Sequence, residues 1–174
     1  MQQEILALGK NVDTIYQSNL ALFRQTGIAY QAWEHEPVLD YETDARLADE
    51  LGWTAAPTKS LFMKMKGGGH SLLLTHKDSR LDSKLVKQAL GKRVSVCTHD
   101  EMAAAIGCVP GAVCPFGLPE EITLLVDPVL YQHPELMYTP GKPEFTFAFA
   151  SADLDTLLAA LPNTVIPLPE VHIA

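Results

Sequence analysis

Cysteine is scarce in this chain. The three residues present, Cys97, Cys108 and Cys114, are an odd number and form no C-x-x-C pair. A disulfide framework and a zinc knuckle are therefore not indicated, and three reduced thiols are expected. Long apolar runs are missing as well. No stretch approaches the roughly 18 residues that a membrane helix needs. The opening MQQEILALGK lacks the basic region, apolar stretch and small-residue cleavage site of a leader peptide. These absences predict no membrane association and a cytoplasmic location. Basic residues are also few: 13 Lys and Arg stand against 21 Asp and Glu, for a net charge of -8. Duplex binding draws much of its affinity from Lys and Arg displacing counterions. No DNA partner and no large nucleic-acid footprint are expected, although contact with a strand end fits the balance. Repeats and low-complexity tracts are absent too, which removes solenoid and array folds.

What is present is the composition of one ordinary domain: 174 residues, 47% hydrophobic and 20% charged. Apolar periodicity predicts helices over 12–23, ending near Gly27, and over 40–51, stopped by Gly52. Strands are expected over 28–34, 60–66 and 71–76, the last two forming a hairpin around Gly67, Gly68 and Gly69. A helix over 83–90 ends at Gly91, a strand covers 93–98, and a short helix over 100–106, with Asp100 as its cap, ends at Gly107. Strands follow over 122–126, 136–138 and 144–149. A closing helix over 151–161 has Ser151 as its N-cap candidate, and an irregular arm follows Asn163. The fold class this predicts is α+β, one domain over 1–174 built around a single sheet.

Several constellations could carry chemistry. In KSLFMKMK a strand sends Lys64 and Lys66 to one face, away from Met63 and Met65, with Lys59 at the strand's start. A solvated face explains this pattern equally well, and spacing does not single out Lys59. In GCVPGAVCPFG the interleaved Gly107, Gly111 and Gly117 permit tight turns that present backbone N–H groups to an oxyanion or carboxylate. The stretch matches neither the phosphate-loop nor the dinucleotide glycine pattern, and an ordinary turn is the plainer reading. Cys108 or Cys114 could attack as thiolate with His35, His99 or His133 as base, yet buried inert thiols are the commoner fate. The six histidines show no H-x-x-x-H or H-E-x-x-H spacing, and no G-x-S-x-G elbow occurs, so neither a metal site nor a serine triad is expected.

Taken in order, HEPV (35–38), KSLFMKMKGG (59–68), SRLDSKL (79–85), GCVPGAVCPFG (107–117), LLVDPVL (124–130) and TPGKPEFTFAFASADL (139–154) resemble the YbaK/prolyl-tRNA-synthetase-associated editing family. The resemblance spans about 27–161, so that the N-terminal helix and C-terminal arm are additions to it. The loop and V-D-P-V-L look most like the free-standing YeaK-type members. The resemblance implies a compact α+β fold with a mixed, partly barrel-like sheet flanked by helices. It also implies deacylation of tRNA carrying the wrong amino acid. The family's essential lysine falls on Lys59 and its donor loop on Gly107 and Gly111, followed by Ala112 and Val113. A third catalytic position falls on Thr139, where other members carry serine or histidine. Phe62 and Pro115 join the substrate-binding candidates, and His35 matches a supporting histidine. An aminoacyl ester is already activated toward water, so orientation and oxyanion stabilisation suffice without nucleophile, metal or cofactor. The implied partner is the acceptor end of a mischarged tRNA, with a synthetase as a further candidate. The rival from another class is a non-catalytic module that holds an amino-acid-like ligand or docks on a synthetase.

Overall fold

Local signals start and stop most of the elements in the computed structural model, which describes residues 2–38, 40–108 and 112–170. Helix α1 (Gln2–Thr26) ends at Gly27, and strand β1 (Tyr30–Glu34) follows. Helix α2 (Tyr41–Leu51) begins where the Asp40 carboxylate accepts from the Thr43 N–H at 2.7 Å, and ends at Gly52 in the left-handed region. Strands β2 (Ala56–Met65) and β3 (His70–His76) form the expected antiparallel hairpin. Helix α3 (Ser83–Leu90) is capped by Asp82 and closed by Gly91.

Strand β4 (Val94–Val96) leads to helix α4 (His99–Ile106). Its cap is Thr98, not the expected Asp100. The Thr98 hydroxyl accepts from the Glu101 N–H at 3.1 Å and the Glu101 carboxylate accepts from the Thr98 N–H at 3.0 Å. This reciprocal pair needs a hydroxyl three residues before the carboxylate, a spacing that Asp100 does not have.

Strand β5 (Thr123–Val126), a 3-10 turn (Pro128–Gln132), β6 (Glu135–Tyr138) and β7 (Phe145–Ala150) complete the centre of the sheet. The closing helix is shorter than its apolar stripe suggests. A 3-10 turn (Ser151–Asp153) precedes α5 (Leu154–Ala159), and the Ser151 hydroxyl donates to the Pro134 carbonyl instead of capping. The expected irregular arm contains a strand, β8 (Val165–Pro167), paired in parallel with β5. Pro167 is tolerated there because β8 lies at the end of the sheet order, where one edge needs no ladder donor.

The sheet is mixed, in the order β1-β7-β6-β2-β3-β5-β8, with β4 beside β2. One edge of β2 is filled by β3. The other is divided between β6, parallel at Ala56 and Pro57, and β4, antiparallel from Met63 to Met65. Strand alternation separates two apolar clusters. Phe62, Leu72, Leu74, Leu124 and Val126 join Phe147 and Phe149 of β7, together with Ile15, Leu22 and Phe23 of α1 and Leu154, Leu157 and Leu158 of α5. Met63, Leu73 and Leu125 pack instead with Val86 of α3. Helix α1, which the sequence resemblance leaves outside 27–161, is thus part of the larger core. It approaches so closely that a Cβ on Gly141 (φ 92) would lie 2.8 Å from Ile15 Cγ2.

Candidate active site

The register of two parallel strands brings the first site residues together. Ala56 pairs with Leu136 and Pro57 with Met137, and the Thr58 hydroxyl donates to the Met137 carbonyl at 2.8 Å. Lys59, near the start of β2, and Thr139, just past the end of β6, each lie two residues beyond the last pair and are therefore brought to the same level. Both line a cavity of about 600 Å³ whose wall also includes Asp40, Asp44, Trp53, Lys77, His99 and Thr146. That volume falls within the roughly 300 to 1,000 Å³ of small-ligand sites.

Lys59 is half-buried, and its ammonium donates to the Ser79 carbonyl in the loop before α3. Among the described residues it has no carboxylate partner. Lys64, by contrast, pairs with Glu101 at 2.6 Å, and Lys77 pairs with Asp44 across the cavity wall. A carbonyl satisfies one ammonium proton and leaves the charge uncompensated, so Lys59 is the lysine equipped to meet an anion.

His35 sits one contact behind the wall. Its Nδ1 lies 2.7 Å from the Glu36 carbonyl, which can only accept, so Nδ1 carries the proton. In the neutral ring Nε2, 2.8 Å from Thr146 Oγ1, then accepts the threonine proton and leaves that oxygen as an acceptor at the cavity. The His35 ring meets Trp53 edge-on at 5.5 Å. The Trp53 indole N–H is buried with no acceptor among the described residues.

Other sequence candidates lie elsewhere. Phe62 is in the larger core and stacks on His70. Gly107 terminates α4 with φ 70. Ala112 and Pro115 are buried, and Val113 packs against the larger core; none of the three lines the cavity. Gly111 lies outside the described residues. Burial pushes the Cys108 thiol up to about 12 and the Cys114 thiol to about 11, far from thiolate chemistry at neutral pH. Sequence reasoning missed Asp44, Trp53, Lys77 and Thr146, and took His99 only as a base or metal candidate. Trp53, an aromatic directly after a glycine helix stop, was the one local signal. The other three reach the cavity through long-range pairing.

With this geometry in place, comparison with known proteins is informative. The model of the aminoacyl-tRNA editing domain matches residues 35–157. This chain belongs to the aminoacyl-tRNA editing domain family. Within it, the chain is 30% identical over 144 residues to the multifunctional Ser/Thr-tRNA deacylase ProXp-y of Escherichia coli, covering 79% of this chain and 84% of that protein. It is 25% identical over 154 residues to the prolyl-tRNA editing protein ProX of Acetoanaerobium sticklandii, covering 85% and 93%. A solved structure of a candidate trans-editing enzyme for prolyl tRNA synthetase superposes with a TM-score of 0.68 at 22% identity, over 90% of this chain and 98% of that one. The hypothetical protein APE2540 gives 0.72 at 22% identity, over 88% and 99%. These two likenesses establish the shared editing-domain fold. The matched segment begins at His35 and contains the strands that deliver Lys59, Thr139 and Thr146 to the cavity.

Proposed function

We propose that this chain is a trans-editing hydrolase that cleaves the ester between a small amino acid and the terminal ribose of a mischarged tRNA. The observation that carries the reading is Lys59: a lysine with no carboxylate partner among the described residues, in a ligand-sized cavity of an editing-family fold. The ester carbonyl becomes an oxyanion as water adds, and a nearby ammonium stabilises that charge more than it stabilises the neutral ground state. Thr139 and the Thr146 oxygen, polarised through His35, provide hydroxyl groups to orient the water. Asp44 is committed to Lys77, so Asp40 is the wall carboxylate that provides negative charge for the α-ammonium of the amino acid. The resemblance assigns further carbonyl donors to Gly111. A substrate of this kind supports a cytoplasmic location.

The E. coli relative's name directs the first choice of ester to seryl- and threonyl-tRNA. The test is a panel of mischarged tRNAs incubated with wild-type and Lys59→Ala protein. Release of a small amino acid by wild type is expected. Loss of one charge-assisted interaction, about 1.5 to 3 kcal/mol, slows the variant roughly tenfold to a hundredfold. No release from any tRNA would favour a non-catalytic binding module, and an unimpaired, folded Lys59→Ala would remove Lys59 from the chemistry.

A further inference from the structure

The charge of this protein is segregated. Residues 59–93 hold nine of the 13 Lys and Arg but only two of the 21 Asp and Glu. The net charge of -8 thus conceals a strongly basic segment comprising the β2–β3 hairpin, α3 and the start of β4. Two of its cations are engaged, Lys64 with Glu101 and Lys77 with Asp44. Arg80, Lys84, Lys87, Lys92 and Arg93 are exposed, and none forms an ion pair among the described residues.

This basic surface adjoins the cavity. Lys59, Leu61 and Met63 alternate onto one face of β2; Met63 packs with Val86 of α3, while Lys59 and Leu61 line the cavity. Lys59 donates to the Ser79 carbonyl, and Arg80 is the next residue. From there α3 carries the cations away from the cavity. Lys84 and Lys87, three apart, share its exposed side. At about 1.5 Å per residue its eight residues extend roughly 12 Å to Gly91, where Lys92 and Arg93 continue the line. Helix α2, whose Asp44 reaches the cavity, has the other sign: it carries Glu42, Asp44, Asp49 and Glu50 against a single Arg46. A polyanion approaching the cavity is attracted to the α3 side and repelled from the α2 side.

We infer that the surface running from Arg80 through Lys84 and Lys87 to Lys92 and Arg93 docks the acceptor-stem phosphates of the tRNA whose esterified end enters the Lys59 cavity. This rests on the tRNA-ester reading above and adds to it an orientation: stem along α3, amino acid toward α2. Phosphate contacts supply position and affinity and carry no base specificity, so the track suits a protein that handles more than one tRNA.

The test uses two probes. One is an uncharged acceptor-stem minihelix, with binding followed by fluorescence anisotropy between 50 and 200 mM salt. The other compares hydrolysis of seryl-tRNA with that of seryl-adenosine, which has no stem. The variants are Arg80→Gln/Lys84→Gln/Lys87→Gln and Lys92→Gln/Arg93→Gln. Arg24→Gln on α1, which packs on the other face of the sheet, is the control. Each phosphate contact contributes about 0.7 to 0.9 to the slope of log affinity against log salt, so the triple variant should lose about 2 to 3 from it. Its KM for seryl-tRNA should rise about tenfold or more at unchanged kcat, while seryl-adenosine hydrolysis, which also reports folding, stays at the wild-type value. An unchanged slope in the triple variant would overturn the track. So would minihelix binding that survives while retention on an acidic synthetase surface is lost. If wild type hydrolyses neither ester, the hydrolase reading fails, and the minihelix slope still decides the track.

Discussion

Lys59 differs from its neighbours through what surrounds it, not through its own position in KSLFMKMK. Lys64, on the other face of β2, is neutralised by Glu101, and Lys77, one residue past the end of β3 and diagonal to Lys59, by Asp44. Those partners lie 37 and 33 residues away in the chain. Lys66 has no carboxylate partner among the described residues either, but it is exposed and does not line the cavity, so the local pattern could not show which unpaired lysine would stand at the cavity; the choice of Lys59 came from the family resemblance. The cysteines illustrate the converse. Two thiols in the glycine loop suggested a nucleophile, but burial raises both Cys108 and Cys114 well above neutral pH. We predict that native protein treated with iodoacetamide at pH 7.5 keeps its deacylase activity and shows no adduct at either residue by mass spectrometry. Alkylation faster than global unfolding, accompanied by loss of activity, would restore the thiol mechanism.

Among the elements, those defined by local chemistry were legible and those defined by distant pairing were not. Gly52, Gly91 and Gly107 each end a helix with φ between 68 and 74, as their positions after apolar periodicity suggested. β8 was not legible because three residues become a strand only through Leu124, Leu125 and Val126, some 40 positions earlier. The cap of α4 was misplaced by two residues, at Asp100 instead of Thr98, because an Asp beside the helix start is itself a favourable cap. The observed arrangement makes a pH prediction. The ammonium of Lys64 and the Thr98 N–H hold the Glu101 carboxyl down at about 2, below its usual 4.5. A carboxyl depressed in the folded state contributes stability above its unfolded value and loses that contribution as pH falls through the folded one. The urea midpoint of wild type should therefore exceed that of Glu101→Gln at pH 7, with the gap closing between pH 4.5 and 2. A gap that is constant over that range would separate the cap from the titration of Glu101.

At the scale of the whole molecule, α1 clamps the loop before β5 to the strand that leads into the site, and a single buried residue does much of this. Asn19 donates from Nδ2 to the Ile15 carbonyl at 2.8 Å and to the Phe116 carbonyl at 3.2 Å, and its Oδ1 accepts from the Tyr138 hydroxyl at 2.6 Å. Three segments far apart in sequence meet on one side chain, and Tyr138 is the residue before Thr139 on the cavity wall. Asn19→Leu keeps the volume but leaves the Tyr138 hydroxyl buried without a partner, and leaves the Phe116 carbonyl with only the weak Cys114 thiol donor at 3.3 Å. At about 1 to 3 kcal/mol for the unmet hydroxyl and about 1 kcal/mol for the weakened carbonyl, the expected loss is about 2 to 4 kcal/mol. Tyr138→Phe removes one partner only and should cost about 1 to 2 kcal/mol. Adding it to Asn19→Leu removes the orphaned hydroxyl, so the double variant should be more stable than the sum of the single losses predicts. Urea unfolding of the four proteins measures that coupling. Strict additivity would mean that Asn19 and Tyr138 do not share the bond in solution. If they do share it, loosening α1 should also raise KM for the ester, because Thr139 is held in place through the same strand end.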